Sequence, residues 1–107
     1  KALTTHSRHF QRHLMRHVEG DQRWGIGDGV PPTATFGNKN GWSPIDADHD
    51  RWAVNSIGWV RDGRHGKSYE IAVMTEHNAT EGYGRQTITR ISHIVWRHAD
   101  LGAANWP

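Results

Sequence analysis

Cysteine is absent from the 107-residue chain. That excludes a disulfide framework, a thiolate-ligated zinc site and a thiol nucleophile. No apolar run approaches the ~20 residues that span a bilayer. Proline occurs only four times, and its first occurrences, Pro31 and Pro32, leave the N-terminal third free for a helix. Charge of one sign is not in large excess: 13 Lys and Arg stand against 11 Asp and Glu, a formal +2. So mild a balance does not by itself imply nucleic acid. The length suits one domain with little room for a second core. What is abundant is tryptophan, six residues, and histidine, nine. The tryptophans argue for a packed interior.

Residues 1–19 read as a helix, with Leu3, Phe10, Leu14 and Val18 at helical spacing. Thr4 or Thr5 serves as its cap and Gly20 follows at a stop. Gly25, Gly27, Gly29, Pro31 and Pro32 make a turn-rich connector. From Thr33 the period changes. Residues 33–39 form a short strand candidate, 41–50 a loop, 52–60 a mostly apolar strand, and 68–75 an alternating one. Residues 61–66 are the turn between the last two. A second helix is expected over 85–98, with Ile88, Ile91, Ile94 and Val95 on one face. This order implies an α/β fold: three consecutive antiparallel strands, with the N- and C-terminal helices packed together on one sheet face.

Lys39-Asn40-Gly41-Trp42 closes the first strand. A Lys beside Gly can aim its ammonium into a cleft, because the Gly lets a ligand approach the backbone. The N–H of Trp42 is then available to a developing oxyanion. Arg51 opens the next strand and, in a tight hairpin, is expected beside the strand end that carries Lys39. Two cations and several amides suit a carboxylate ligand. The plainer alternative pairs Arg51 with Asp46, Asp48 or Asp50 at the surface.

These elements and the Lys-x-Gly motif together resemble the C-terminal part of penicillin-recognising serine hydrolases, closest to the class A β-lactamases. There a helix, a Gly/Pro-rich connector and a strand with Lys-Thr-Gly or Lys-Ser-Gly are followed by two antiparallel strands and a long helix. The resemblance covers nearly the whole chain, and it includes Arg51 with Gly58 seven residues on. It implies that Lys39 sets the electrostatics near a nucleophile and that the Trp42 N–H forms half of an oxyanion hole. It also implies that Asn40, Gly41 and Arg51 contact substrate, Asn40 and Arg51 orienting its carboxylate. Asn40 replaces the hydroxyl residue of the family motif. Ser7, Ser43, Ser56, Ser68 and Ser92 each lack Lys at the third following position, so the family's Ser-x-x-Lys is missing, as is Ser-Asp-Asn. The chain, which starts at Lys1 and not Met, thus reads as a single C-terminal segment, 1–107. Its expected partner is an N-terminal segment or chain that carries the serine. The implied location is extracytoplasmic. No cofactor is implied, and no nucleic-acid partner.

Three further features have mundane expectations. His6, His9, His13 and His17 share an arc of the first helix, but with no third ligand in view they are expected to be a solvated flank, not a native metal site. Arg8, Arg12 and Arg16 repeat every four residues, as a solvated face does. Trp24, Trp42, Trp52 and Trp59 suggest an alternative function, a glycan- or protein-binding module, if exposed. Asn78-Ala79-Thr80 fits the glycosylation pattern.

Overall fold

A computed structural model describes residues 2–99; Lys1, included in the expected first helix, lies outside the described residues. Helix α1 runs Thr5–Arg16. It starts where the Thr4 hydroxyl accepts from the Ser7 N–H at 3.1 Å, a cap that satisfies one orphan amide of the first turn. Strands β1 (Thr35–Ile45), β2 (Arg51–Asp62) and β3 (Lys67–Asn78) follow, then helix α2 (Glu81–His98). The sheet order is β1-β2-β3, antiparallel throughout. The expected α/β class and strand sequence are therefore those observed.

Helix α1 is shorter than the expected 1–19, β2 and β3 run slightly longer than expected, and two other boundaries differ for a clear physical reason. β1 continues through Gly41, Trp42 and Pro44 to Ile45, because it is an edge strand and an edge tolerates residues that weaken a ladder. Helix α2 begins at Glu81 despite Gly82 and Gly84. Thr80 caps it, accepting from the Tyr83 N–H at 3.0 Å. Gly84 is required there: a Cβ on it would lie 2.5 Å from a Val54 methyl. The glycosylation pattern at 78–80 is consumed by the same corner. Asn78 is buried and its amide donates to the Trp52 carbonyl at 3.0 Å and the Thr75 hydroxyl at 2.8 Å.

The helices do not share a face. α2 packs on the side of β2 that carries Val54, Ser56 and Val60. The connector, residues 20–34, joins it there. Trp24 and Ile26 enter the core with Val54, Val60, Val73 and Ile88, and the Ser92 hydroxyl donates to the Ile26 carbonyl at 2.8 Å. α1 lies across the opposite face, where Arg12 meets Glu70 at 3.3 Å. The turn-rich connector fills the place that the sequence reading gave to the first helix, because it holds the apolar side chains that seal the core. α1 has no buried residue. It is also turned over relative to expectation. Arg8, Gln11, Arg12 and Met15 border the groove above the sheet, while Phe10 and Leu14 are 57% and 54% exposed.

The β2–β3 turn is held by one buried carboxylate. The His65 ring nitrogen lies 2.8 Å from Asp62 Oδ2. Burial pushes the Asp62 carboxyl up, but the hydrogen bonds and charge of His65 and the Arg64 backbone outweigh it, so the group sits below its ordinary range.

Candidate functional site

Lys39, Asn40, Gly41 and Trp42 occupy the middle of β1, not its end. Successive side chains in a strand alternate between faces. Asn40 pairs with Ser56 and Trp42 with Val54, both on the α2 side; Lys39 pairs with Ile57 on the α1 side.

The backbone alternates as well. Among the described residues β1 pairs only with β2, so every second residue turns its N–H and C=O to an edge that no described strand covers. Two observations fix the phase. The Gly37 carbonyl is aimed at β2, lying 2.6 Å from the place a Cβ on Gly58 would take. Pro44, which has no N–H to give the ladder, sits within the strand. Both put odd-numbered residues toward β2 and even-numbered residues outward. The Trp42 N–H accordingly faces the open edge. The Lys39 ammonium curls to the same edge, where it donates to the Asn40 carbonyl. Between them, a Cβ on Gly41 would meet nothing within 4 Å, so a ligand has clear approach to the backbone.

Asn40 does not face this edge with its side chain. It is 3% exposed, and its amide donates to the Gln22 and Trp24 carbonyls at 2.8 and 3.2 Å. Asn38 does the same at 2.9 and 3.3 Å. The two amides tie the edge strand to the connector. The expected contact of Asn40 with a substrate carboxylate is replaced by this structural one, because position 40 falls on the core side of the pleat.

Trp42 is backed by residues that the sequence reading did not connect with it. Its ring meets Trp24 edge-on at 5.7 Å between centroids. The Arg85 guanidinium lies 4.2 Å from the Trp24 centroid and 5.9 Å from that of Trp42. Each such cation–aromatic contact contributes ~0.5–2 kcal/mol. No spacing in the sequence joins Trp24, Trp42 and Arg85, which lie on the connector, β1 and α2.

Arg51 is not beside Lys39. It faces Ile45, whereas Lys39 faces Ile57, roughly 20 Å of strand away at ~3.3 Å per residue. The hairpin turns later than expected, because β1 runs on to Ile45. Arg51 instead reaches Asp48 at 3.9 Å, and Asp48 is also 2.5 Å from the His77 ring nitrogen. Arg51→Ala is therefore expected to lower stability by less than ~1 kcal/mol, the usual worth of an exposed pair. It should leave the ratio of kcat/KM for a carboxylate-bearing ester over a neutral one unchanged. A selective loss on the carboxylate substrate would return Arg51 to the site.

Four of the five described serines have hydroxyls engaged with neighbouring groups. Ser56 and Ser92 are buried in core hydrogen bonds with Ile26. The Ser43 hydroxyl donates to the Pro44 carbonyl, and that of Ser7 is bonded to Thr4. Among the described residues no group of three or more His, Cys, Asp or Glu is placed to hold a metal ion. On α1 the rings of His13 and His17 lie 4.3 Å apart.

The comparisons bear on this arrangement. A model of the beta-lactamase enzyme family matches residues 1–99. Neither a curated protein nor a solved structure matches the chain.

Proposed function

This chain belongs to the β-lactamase enzyme family, and from that premise we propose that it is the C-terminal segment of a serine hydrolase acting on β-lactam, peptide or ester carbonyls. The observation that carries the proposal is the open edge of β1, where the Lys39 ammonium and the outward Trp42 N–H flank an unobstructed Gly41.

In this reading the serine comes from a complementary N-terminal segment. Its oxygen attacks the carbonyl carbon, its proton passes to a base, and the carbonyl π electrons move onto oxygen. The Trp42 N–H donates to that oxyanion, the serine's own amide providing the second donor. Collapse breaks the bond to nitrogen or oxygen, and the leaving group takes a proton. Water then releases the acyl group. Lys39 lowers the energy of the negative charge and assists the proton's passage. Asn40 acts at one remove, holding the edge strand against the connector.

The exposed surface supports a partner segment. Phe10 and Leu14 point outward from α1, and Ile57 and Met74 are 37% and 65% exposed on the sheet face that α1 leaves bare. Between α1 and that face lies a groove of about 640 Å³. Exposed apolar side chains of this kind support an interface with that segment. No described helix is long and apolar enough to cross a membrane; we place the protein outside the cytoplasm on the family likeness. Of the tryptophans named for a glycan-binding alternative, Trp24 is buried, Trp52 and Trp59 are half-buried, and Trp42 is 40% exposed.

The test is intact-mass analysis of the full-length protein after incubation with a penicillin and with an activated ester. A stoichiometric acyl adduct on a serine outside residues 1–107 is expected. No adduct with either reagent, or one on Ser7, Ser43 or Ser68, overturns the reading.

A further inference from the structure

Beside the last turns of α1 lies a second, smaller groove of about 300 Å³. It is lined by His9, Arg12, His13, Arg16, His17, Trp59 and Arg61. Among the described residues no carboxylate lines it, and Glu70 reaches it only through Arg12. We propose that this groove binds a phosphate ester, its phosphate held by Arg12, Arg16 and Arg61 and its organic group set against Trp59.

The argument starts from charge. Residues 1–18 contain no Asp or Glu, and this helix is laid so that its guanidinium row turns toward the sheet. Arg12 has a partner in Glu70, itself 76% exposed. Arg16 and Arg61 have no ion-pair partner among the described residues. Arg23 stands close by: its guanidinium donates to the Arg16 carbonyl at 2.8 Å. Burial, then the Arg16 charge, both make Arg23 harder to protonate than usual. Complementing the C-terminal end of a helix takes only about half a charge. Arg16 and Arg61, without an ion-pair partner among the described residues, exceed that on one cavity, and an anion between them would offset their like charges.

The ligand class follows from shape. A guanidinium offers a planar fork of donors that matches phosphate oxygens two at a time. Several forks on one group suit a tetrahedral dianion better than a single carboxylate. The cavity is larger than a bare phosphate. Trp59, with Arg61 lying 6.0 Å from its ring centroid, provides an aromatic wall for the substituent. His9, His13 and His17 also line the groove.

The groove is separate from the acyl chemistry, and its test needs no turnover. The full-length protein is titrated with phenyl phosphate and with inorganic phosphate at physiological salt, by calorimetry and by the Trp59 indole N–H resonance. Saturable binding of phenyl phosphate is expected, tighter than inorganic phosphate, with a shift of that resonance. Arg16→Gln and Arg61→Gln should each weaken it about tenfold, as the loss of one charge-assisted hydrogen bond does. Arg90→Gln, on α2, should not. Preserved dispersion of the indole resonances in each variant keeps a folding defect apart from a lost contact. Absence of saturation at millimolar phenyl phosphate overturns the proposal. So does equal weakening by Arg90→Gln, which reports diffuse attraction only.

Discussion

Lys39→Ala is expected to slow acylation of the full-length enzyme by ~10²–10⁴, the range over which a positioned proton-transfer group acts. The side chain is exposed and its described hydrogen bond goes to the neighbouring Asn40 carbonyl. The substitution therefore removes no packing, and the melting temperature should stay within a degree or two. Stopped-flow measurement of acylation by a chromogenic β-lactam separates the two quantities. The loss should appear in the rate constant of the chemical step, with little change in the concentration at half saturation. An acylation rate within a few-fold of the parent would remove Lys39 from the mechanism, and with it the case for the β1 edge.

Trp42→Pro should cost ~10²–10³ in the same rate constant, which is the usual loss when one oxyanion donor is removed. The choice of proline rests on the phase of the strand. The Trp42 N–H faces the free edge, so proline breaks no ladder bond, and Pro44 already shows that this edge accepts the ring. The indole is lost as well, including its contact with Trp24. Trp42→Phe is the control: it keeps the N–H and an aromatic ring, and should retain most of the activity. If the phenylalanine variant falls as far as the proline one, the indole matters and the amide does not. Circular dichroism of both would show whether the sheet persists.

Much of the architecture was legible because it is written in periodicity. The alternation of Tyr69, Ile71 and Val73 and the 3.6-residue spacing of Ile88, Ile91 and Val95 mark a strand and a helix without further help. The Lys39-Asn40-Gly41-Trp42 stretch was legible only as a candidate, from residue types that sit side by side in the chain. What escaped was which face each element presents. The Phe10 and Leu14 stripe reads as a core face, yet in this chain it is exposed. Periodicity shows that a helix has two sides and not which one meets the sheet. The connector carries no period at all, so Trp24 and Ile26 gave no sign that they close the core. The position of Arg51 was missed because hairpin register depends on where the turn falls. Edge strands admit Gly and Pro, the residues otherwise used to find turns.

The open side of β1 has a consequence for life at high concentration. A row of unpaired amides and carbonyls open to a ligand is open to another polypeptide as well, and strands that lack a neighbour are where chains stick together. This edge carries two residues that discourage such joining: Pro44 interrupts the row of donors, and Lys39 places a cation beside it. Lys39, proposed above to assist acyl transfer, would thus also guard against self-association. An enzyme weakened at position 39 should therefore be not only slow but also less soluble.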